Sequence, residues 1–465
     1  MSAAKVPVQT LDIETESASE KRSIIIGLTW PALAENTFAS LVSIIDMVMV
    51  ASLGAYAIGA VGLISQPRFV MLAAFMALNV GSTAMVSRFK GAGDQESANQ
   101  VLHQSIIMTL LFTGVLCVIM FFGGNALVAF LAGPNISEEM IQGANVYLRI
   151  QVYGFPALAL TFTINAVLRG VGNTRAAFYN NGVFNIVKIF LNYCLIGGNL
   201  GFPALGLAGA SIATVIAQCF ALAMAVWKVL SGSEFVRMEL AKLLKIDFAI
   251  IKRILNIGFP ALIEQLIMRI GVMLFTRIIT SLGDNPYAAH MIAMNIQQLS
   301  FMTGMSFGTA ATTLVGQSLG RNRPDLARQY VKLIQRMNYI IAIAVSLLLF
   351  FGGEAISGLY SHDQELTIMA ANMLKIIALF NVWSSSRFVY LAGLRGAGDA
   401  RFTAVVTFVG VLFLRPVVSV FLVFPPFPFQ LGLAGVWIAL SSDAMASYIL
   451  AKIRFSRGKW ETIKV

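Results

Sequence analysis

Two carboxylates stand inside an apolar stretch near the start of the chain, between Trp30 and Gly54. Glu35 and Asp46 are 11 residues apart. That is about three helical turns, so both fall on nearly the same helix face, roughly 16 Å from each other. The stretch is long enough to cross a bilayer, where an acid costs at least about 2.5 kcal/mol on insertion scales. We therefore expect each carboxylate to face a partner or a water-filled cavity.

A second apolar stretch carries a polar face with one basic group. Asn181, Asn185, Lys188 and Asn192 are spaced 4, 3 and 4 residues apart, which places them on one side of a helix. The ammonium group needs an interior counter-ion, and Asp46 of the same half is the candidate. Pairing keeps both groups charged, whereas opening or desolvating the pair favours their neutral forms. This behaviour suits a proton-coupled switch, and the alternative is a static ion pair that fixes the packing.

Further ionisable groups lie at bilayer depth in the second half. Glu264 and Arg269 are five residues apart, a poor spacing for a pair on one helix, so each is expected to have its partner elsewhere. Asp443 lies among small residues and is interpreted as a helix-packing residue. Met268 belongs to a methionine-rich and aromatic stretch, typical of a core or of an adaptable cavity for bulky apolar cations. Four arginines are left without a role: Arg68 in the first half, and Arg277, Arg387 and Arg415 in the second.

Composition and motifs argue against an enzyme. The 465 residues are 57% hydrophobic and only 12% charged, with a mean hydropathy of +0.78. A soluble protein of this size carries about twice that charge. The sequence shows no nucleophile–base constellation and no zinc-ligand spacing, and its glycine-rich loops lack the phosphate-loop pattern. We therefore expect no enzyme activity, no metal site and no cofactor beyond a coupling proton or sodium ion.

Twelve apolar runs are long enough to span a bilayer. Among the connections, Lys and Arg occur in one set and at both termini, and the alternate set contains neither. Under the positive-inside rule this pattern predicts twelve transmembrane helices with both termini in the cytosol. Membrane topology thus explains the net charge of +11, and no nucleic-acid partner is expected.

Most of the chain is repeated once. Glu35 recurs as Glu264, 229 residues later, and the segment Leu168–Arg175 recurs as Leu394–Arg401, 226 residues later. Two copies of six helices insert with the same orientation, as in transporters with a central alternating-access cavity. The sequence therefore predicts an all-α membrane protein whose twelve transmembrane helices form two parallel six-helix lobes around a central cavity.

The predicted division has five parts. They are a cytosolic N-terminal tail, the first lobe, a cytosolic linker, the second lobe and a basic cytosolic tail: residues 1–21, 22–230, 231–253, 254–452 and 453–465. We expect a multi-pass protein of the cell (inner or plasma) membrane. Its expected partners are small cationic or amphipathic substrates and membrane lipid, and we expect it to work as a monomer.

The ordered motifs resemble those of the multidrug and toxic compound extrusion (MATE) family. They are WPALAE and IIDMVMVASLG in the first helix, VSRFKGAGDQESANQ after the second, LRGVGNTR after the fourth, LNYCLI in the fifth and GLAGASIAT in the sixth. The resemblance covers essentially all of residues 22–455. It implies two six-helix lobes around a V-shaped cavity. It also implies export of cationic drugs and toxins, driven by inward movement of protons or sodium ions.

The resemblance also implies residues of a cation site in the first lobe. Asp46 matches the aspartate of that site in the family. Lys188 and Asn192 stand where some members have an Asn and an Asp, and Thr214 matches a nearby threonine. The lysine supplies a fixed positive charge where a sodium ion would otherwise bind, which argues against sodium in this lobe.

The second lobe departs from the family pattern. The family's glutamate of the seventh helix aligns with Met268, whereas Glu264 lies one turn earlier. The aspartate that accompanies it in sodium-coupled members is absent, since no acid occurs between Leu366 and Leu394. The sodium site of that branch is therefore predicted to be missing, which favours protons as the coupling ion.

Together these observations predict a secondary active multidrug antiporter that exports organic cations or toxins in exchange for protons. Two sets of residues are predicted to form its sites: Asp46, Lys188, Asn192, Asn185 and Thr214 for cation coupling, and Glu35, Glu264, Arg269 and Met268 for the substrate cavity. The alternative is a flippase for lipid-linked oligosaccharides or peptidoglycan precursors from the same superfamily, because interior arginines suit an anionic substrate. Twelve helices and interior charges of both signs favour the exporter.

Overall fold

The computed structural model consists of long helices and describes residues 17–132, 137–239, 242, 245–360, 363–424 and 430–463. Twelve long helices follow one another within these ranges. The first six are α1 Ala18–Ala51, α2 Ala55–Ala92, α3 Gln95–Ala132, α4 Glu138–Gly170, α5 Thr174–Gly197 and α6 Gly206–Leu230. The second six are α7 Phe248–Thr280, α8 Asp284–Gly320, α9 Pro324–Gly358, α10 Gln364–Gly396, α11 Ala400–Val423 and α12 Gly432–Ser456.

Ten of the described helices are long and apolar enough to cross a membrane. α5 and α8 do not meet that criterion, because polar side chains such as Lys188 and Gln297 interrupt their apolar sequence. Both helices pack against several others, α5 on α1 and α6, and α8 on α1, α2 and α10. Interior positions of this kind let polar side chains find partners inside the protein.

The chain folds into two groups of six helices. α4 packs on α2, α3 and α6 in the first lobe, and α10 packs on α8, α9 and α12 in the second. Both α1 and α7 contain a proline, Pro31 and Pro260, at equivalent positions of the repeat. α11 contains a π-helical turn, Phe408–Leu414, which ends just before Pro416. Since proline has no N–H to donate, it favours such an irregularity in the helix.

The lobes meet through α2, which contacts α7 and α8, and through α1, which contacts α8. Glycines bring the backbones of α2 and α8 together. A Cβ atom on Gly91 would lie 1.9 Å from the carbonyl oxygen of Gln317, and one on Gly320 would lie 1.9 Å from that of Arg88. These two contacts are related by the 229-residue repeat, so the same contact occurs twice across the seam.

This seam lies at the end of the helices where the described chain begins, at residue 17, and ends, at residue 463. We call it the basic face; it includes the connections 93–94, 171–173, 321–323 and 397–399. The end of the described chain crosses it, because Arg88 Nη1 donates to the carbonyl oxygen of Ile463 at 2.7 Å. Trp460 is fully buried there and stacks on Phe455 with ring centroids 4.6 Å apart.

The division into tails, linker and lobes stays a prediction. α1 begins at Ala18, and residues 1–16 of the predicted N-terminal tail lie outside the described residues. α7 begins at Phe248, inside the predicted linker, and α12 continues to Ser456. The linker packs on α3, where Asn99 Oδ1 accepts from Arg237 N at 2.7 Å.

Candidate functional site

A polar site joins α1 to α5 in the first lobe. Lys188 Nζ donates to Asp46 Oδ2 at 2.8 Å, and Asn192 Nδ2 donates to Asp46 Oδ1 at 2.5 Å. The four-residue spacing of Lys188 and Asn192 lets one face of α5 engage both carboxylate oxygens. The Asp46 side chain is still 25% exposed, and that of Lys188 is 12% exposed. The carboxylate is thus held from the protein side while one side remains open.

Asn185 and Thr214, the other two predicted coupling residues, are buried but do not bind the carboxylate. The Thr214 hydroxyl donates to the carbonyl oxygen of Ala210 within α6, at 2.9 Å. Within the described part of the chain, no hydrogen bond joins either side chain to Asp46. The buried Oδ1 of Asn192 lacks a hydrogen-bond partner in the same ranges. The structure therefore brings together three of the five predicted residues.

Glu35 lies on the same helix as Asp46 but belongs to a separate network. Arg169 Nη1, at the end of α4, donates to its two carboxylate oxygens at 3.0 and 3.3 Å. Asn181 Nδ2 donates to Glu35 Oε1 at 2.5 Å. The polar face predicted for α5 therefore contacts two different acids: Asn181 binds Glu35, and Lys188 binds Asp46.

The second lobe repeats the Glu35 network. Glu264 is 3% exposed and accepts a hydrogen bond from Arg395, the counterpart of Arg169. Thr407 Oγ1, at the position equivalent to Asn181, donates to Glu264 Oε1 at 3.1 Å, and Thr403 Oγ1 donates to Oε2 at 2.9 Å. We call Glu35–Arg169 and Glu264–Arg395 the two braces. Each ties the first helix of its lobe to the end of the fourth.

Two other residues predicted for the substrate cavity lie farther along α7. Met268 and Arg269 are both half-buried. Glu264 does not use Arg269 as its basic partner, since Arg395 of α10 fills that role. For Glu264, this agrees with the expectation, drawn from its spacing to Arg269, that its partner lies elsewhere.

Asp443 is the centre of an ion cluster and not merely a packing residue. Arg415 donates to Asp443 Oδ2 from Nη2 at 2.5 Å and from Nε at 3.1 Å, and Arg387 Nη1 lies 3.6 Å from the same oxygen. The relative exposure of Asp443 is 0%, of Arg415 5% and of Arg387 8%. The interpretation of Asp443 from its small neighbours alone was incomplete, because it did not connect the acid to two interior arginines of the same lobe. Those two arginines were the feature of the sequence from which the ion cluster could have been predicted.

Gly410 of the π-helical turn permits the close approach of this cluster to α11. A Cβ atom on Gly410 would lie 2.1 Å from Asp443 Oδ1. Any larger residue there would displace the carboxylate. Asp443, Arg387 and Arg415 therefore join α12, α10 and α11 in a sealed interior.

The MatE family model matches residues 31–194 and 260–421, one segment in each lobe. The chain belongs to the MATE family. MATE proteins are membrane transporters, so this chain is a multi-pass membrane transporter and not an enzyme. The expected family is confirmed, and so is the all-α fold of transmembrane helices in two lobes.

Relatives of this MATE protein align over almost their whole length. A probable multidrug resistance protein NorM of Thermotoga maritima is 28% identical over 448 residues, covering 96% of this chain and 94% of its own. An uncharacterized transporter, YisQ of Bacillus subtilis, is 25% identical over 446 residues, covering 95% and 96%. Both alignments thus cover nearly the whole length of this chain and of the relative.

Solved structures share the MATE fold. An outward-facing multidrug resistance MATE transporter of the MOP superfamily superposes with a TM-score of 0.85 at 23% identity, covering 94% of this chain and 97% of that one. A MOP superfamily transporter from Pyrococcus furiosus, described by a binding pocket of reverse polarity, gives 0.85 at 22% identity, covering 94% and 96%. At these identities the likeness establishes the fold.

Proposed function

We propose that this MATE transporter is a secondary active multidrug efflux antiporter that exports organic cations or toxins in exchange for protons. The observation that carries the proposal is the geometry of Asp46, a carboxylate held on both oxygens by α5 yet 25% exposed. The similarity to a probable multidrug resistance protein supports the substrate class. We place it as a monomer in the plasma membrane, with the basic face and both termini in the cytosol.

Protons are preferred to sodium because of Lys188. Its ammonium group, 2.8 Å from Asp46 Oδ2, stands where a bound cation would neutralise the carboxylate. Asn192 occupies the other carboxylate oxygen. Both carboxylate oxygens are thus already engaged by the protein, and a proton is the coupling ion that we propose for this site.

Protonation of Asp46 weakens the contact between α1 and α5. The neutral acid no longer balances Lys188, whose ammonium is then left with less compensation in the interior. α1 also lies at the seam between the lobes, where Asn36 Nδ2 donates to Ser306 Oγ of α8 at 3.3 Å. A shift of α1 therefore alters the contact between the lobes. In this way protonation of Asp46 is coupled to the change between inward and outward access of the cavity.

The proton is taken up from the face opposite the basic face. Asp46 lies near that end of α1, which finishes at Ala51, whereas Glu35 lies deeper and is engaged by Arg169. Proton entry at Asp46 then accompanies release of the substrate to the outside. When Asp46 loses its proton again, it re-forms the ion pair with Lys188, and the first lobe returns to its starting conformation.

The flippase alternative requires a basic cavity that holds pyrophosphate. Arg387 and Arg415 are 8% and 5% exposed, and both face Asp443. The arginines of the two braces are engaged by glutamates. These four guanidinium groups already bind carboxylates of the protein, which leaves fewer cations for a pyrophosphate, so we retain the exporter.

Transport of a cationic dye in proteoliposomes, under separate pH and sodium gradients, tests this function. We expect export to follow the pH gradient and to be abolished in Asp46→Asn, while the variant still inserts. Glu96→Gln is the matched control, because Glu96 is an exposed acid on the basic face, 57% exposed. Full efflux in Asp46→Asn, or export that follows sodium alone, would contradict the proposal.

A further inference from the structure

A groove of about 760 Å³ opens on the basic face at the seam between the lobes. The first lobe contributes the beginnings of α1 and α5 and the end of α2, and the second contributes the end of α8. Three cationic side chains line it, Lys90, Arg175 and Arg321, and none of its lining residues is acidic. The groove thus gathers positive charge from both lobes.

These three cations form no ion pair with a carboxylate in the described part of the chain. Lys90 Nζ instead lies over the ring of Phe235, 4.0 Å from its centroid, and Lys90 and Arg321 act on each other as like charges. Glu234 is also close enough to act on Lys90. Its carboxylate is already bound by Lys228 at 3.0 Å and by Asn173 at 2.8 Å. An anion in the groove would relieve the repulsion between the cations.

The groove also receives the N-terminus of a long helix. Asn173 caps α5 by accepting from Ala176 N at 2.9 Å, and the next two residues, Thr174 and Arg175, line the groove. A helix N-terminus presents free N–H groups and a partial positive charge, which favour a bound anion. Gly172, with a φ of +95°, lets the preceding turn approach without a side chain in the way.

We propose that this groove binds a phosphate group, supplied either by the headgroup of an anionic phospholipid or by free phosphate. A phosphate presents several acceptor oxygens to separate donors, which suits an ammonium group and two guanidinium groups around one space. Lys90 and Arg175 belong to the first lobe and Arg321 to the second. The bound phosphate therefore joins the lobes and stabilises their contact at the basic face. The site does not depend on the proposed transport function.

Binding is measured on the purified full-length protein in neutral detergent. Phosphatidylglycerol, phosphatidylcholine and inorganic phosphate are added separately, and the thermal unfolding midpoint and the bound lipid in native mass spectra are recorded. We expect phosphatidylglycerol to raise the midpoint and to remain bound where phosphatidylcholine does not. Arg321→Gln is expected to weaken this binding about tenfold, the loss of one charge-assisted hydrogen bond.

Two further variants serve as an alternative to Arg321→Gln and as a control. Lys90→Gln removes a cation from the other lobe and replaces Arg321→Gln if that variant fails to fold. Lys252→Gln removes one exposed cation at the beginning of α7, outside the groove, and should bind like the unaltered protein. Stabilisation by inorganic phosphate as well as lipid supports free phosphate as a ligand, and stabilisation by lipid alone supports the headgroup. Equal binding by Arg321→Gln, Lys90→Gln and Lys252→Gln overturns the site. None of these readouts measures transport, so their failure leaves the proposed function untouched.

Discussion

In the first lobe, Asp46 accepts from Lys188 and its side chain is 25% exposed, whereas in the second lobe Asp443 accepts from Arg415 and is fully buried. Both are acids with a basic partner at bilayer depth. Their exposure separates what they can do, because a carboxylate that exchanges protons needs a path to water. The comparison supports our proposal that ions exchange in the first lobe, and it shows a sealed ion cluster in the second.

The repeat shows how the two lobes came to differ at the same place. The position equivalent to Asp46 is Phe275, and the position equivalent to Lys188 is Leu414, next to Arg415. The guanidinium of Arg415 lies over the ring of Phe275, 5.3 Å from its centroid. A cation–aromatic contact between α7 and α11 therefore stands where the first lobe has its ion pair between α1 and α5. A contact of this kind has no titratable acid to neutralise.

The braces, by contrast, are kept in both lobes. Glu35 with Arg169 and Glu264 with Arg395 make the same connection between equivalent helices. We conclude that the braces belong to the shared scaffold, whereas the pair formed by Asp46 and Lys188 is specific to the first lobe.

The largest effect on stability is expected from Asp443→Asn. The substitution leaves Arg415 and Arg387 facing each other in a sealed interior, so we expect a loss of about 3–5 kcal/mol in the free energy of unfolding. Chemical unfolding in detergent, followed by tryptophan fluorescence, measures it. Ser447→Ala is the control, because it removes only a 3.2 Å hydrogen bond to the same carboxylate and should cost about 1 kcal/mol. Similar losses in both variants would show that the cluster is not the sealed ion centre described above.

A smaller, unequal pair of effects is expected at the braces. Glu264→Gln should destabilise by about 3 kcal/mol and Glu35→Gln by about 1 kcal/mol. The side chain of Glu264 is 4% exposed and that of Glu35 is 14% exposed, so solvent screens the first-lobe brace more strongly. Unfolding of the two variants under identical conditions tests the order. A larger loss for Glu35→Gln would reverse the comparison of burial between the lobes.

The smallest effect on stability, less than about 1 kcal/mol, is expected from Lys188→Gln, because the Asp46 side chain of its ion pair is 25% exposed. Its effect on ion selectivity should be clear, however, since removal of the ammonium vacates the space beside Asp46. We expect a sodium gradient to begin to drive dye export in this variant, measured in proteoliposomes. Lys252→Gln serves as the charge-matched control and should remain indifferent to sodium. If Lys188→Gln is also indifferent, Lys188 does not exclude sodium.

The sequence was sufficient to predict the helices and lobes, because each helix is a local apolar run and the repeat fixes the grouping. The spacing of Lys188 and Asn192 also placed them on one face, and Asp46 was the acid named as their partner. The Glu35–Arg169 brace was not predicted, because Arg169 was read as part of a basic loop. The sequence nevertheless contained evidence for this brace, since both Glu35 and Arg169 recur in the second copy of the repeat.

The Asp443 cluster was harder to predict. Its three members lie on α10, α11 and α12, so their meeting depends on how each helix is rotated about its axis. The π-helical turn Phe408–Leu414 changes that rotation within α11, and a regular helical period does not account for it. Asn185 shows the converse limit: it lies on the predicted face of α5 between Asn181 and Lys188, but α1 carries no acid between Glu35 and Asp46 for it to bind.

Proton release on substrate binding tests the central claim most directly. The purified transporter is first acidified so that Asp46 takes up its proton, and it is then mixed with a cationic dye in weakly buffered detergent solution. Protons released per bound dye are counted with a pH indicator. We expect release from the unaltered protein and from Glu96→Gln, and none from Asp46→Asn, because Asp46 is the acid that exchanges its proton. Undiminished release per bound dye from Asp46→Asn would contradict the account.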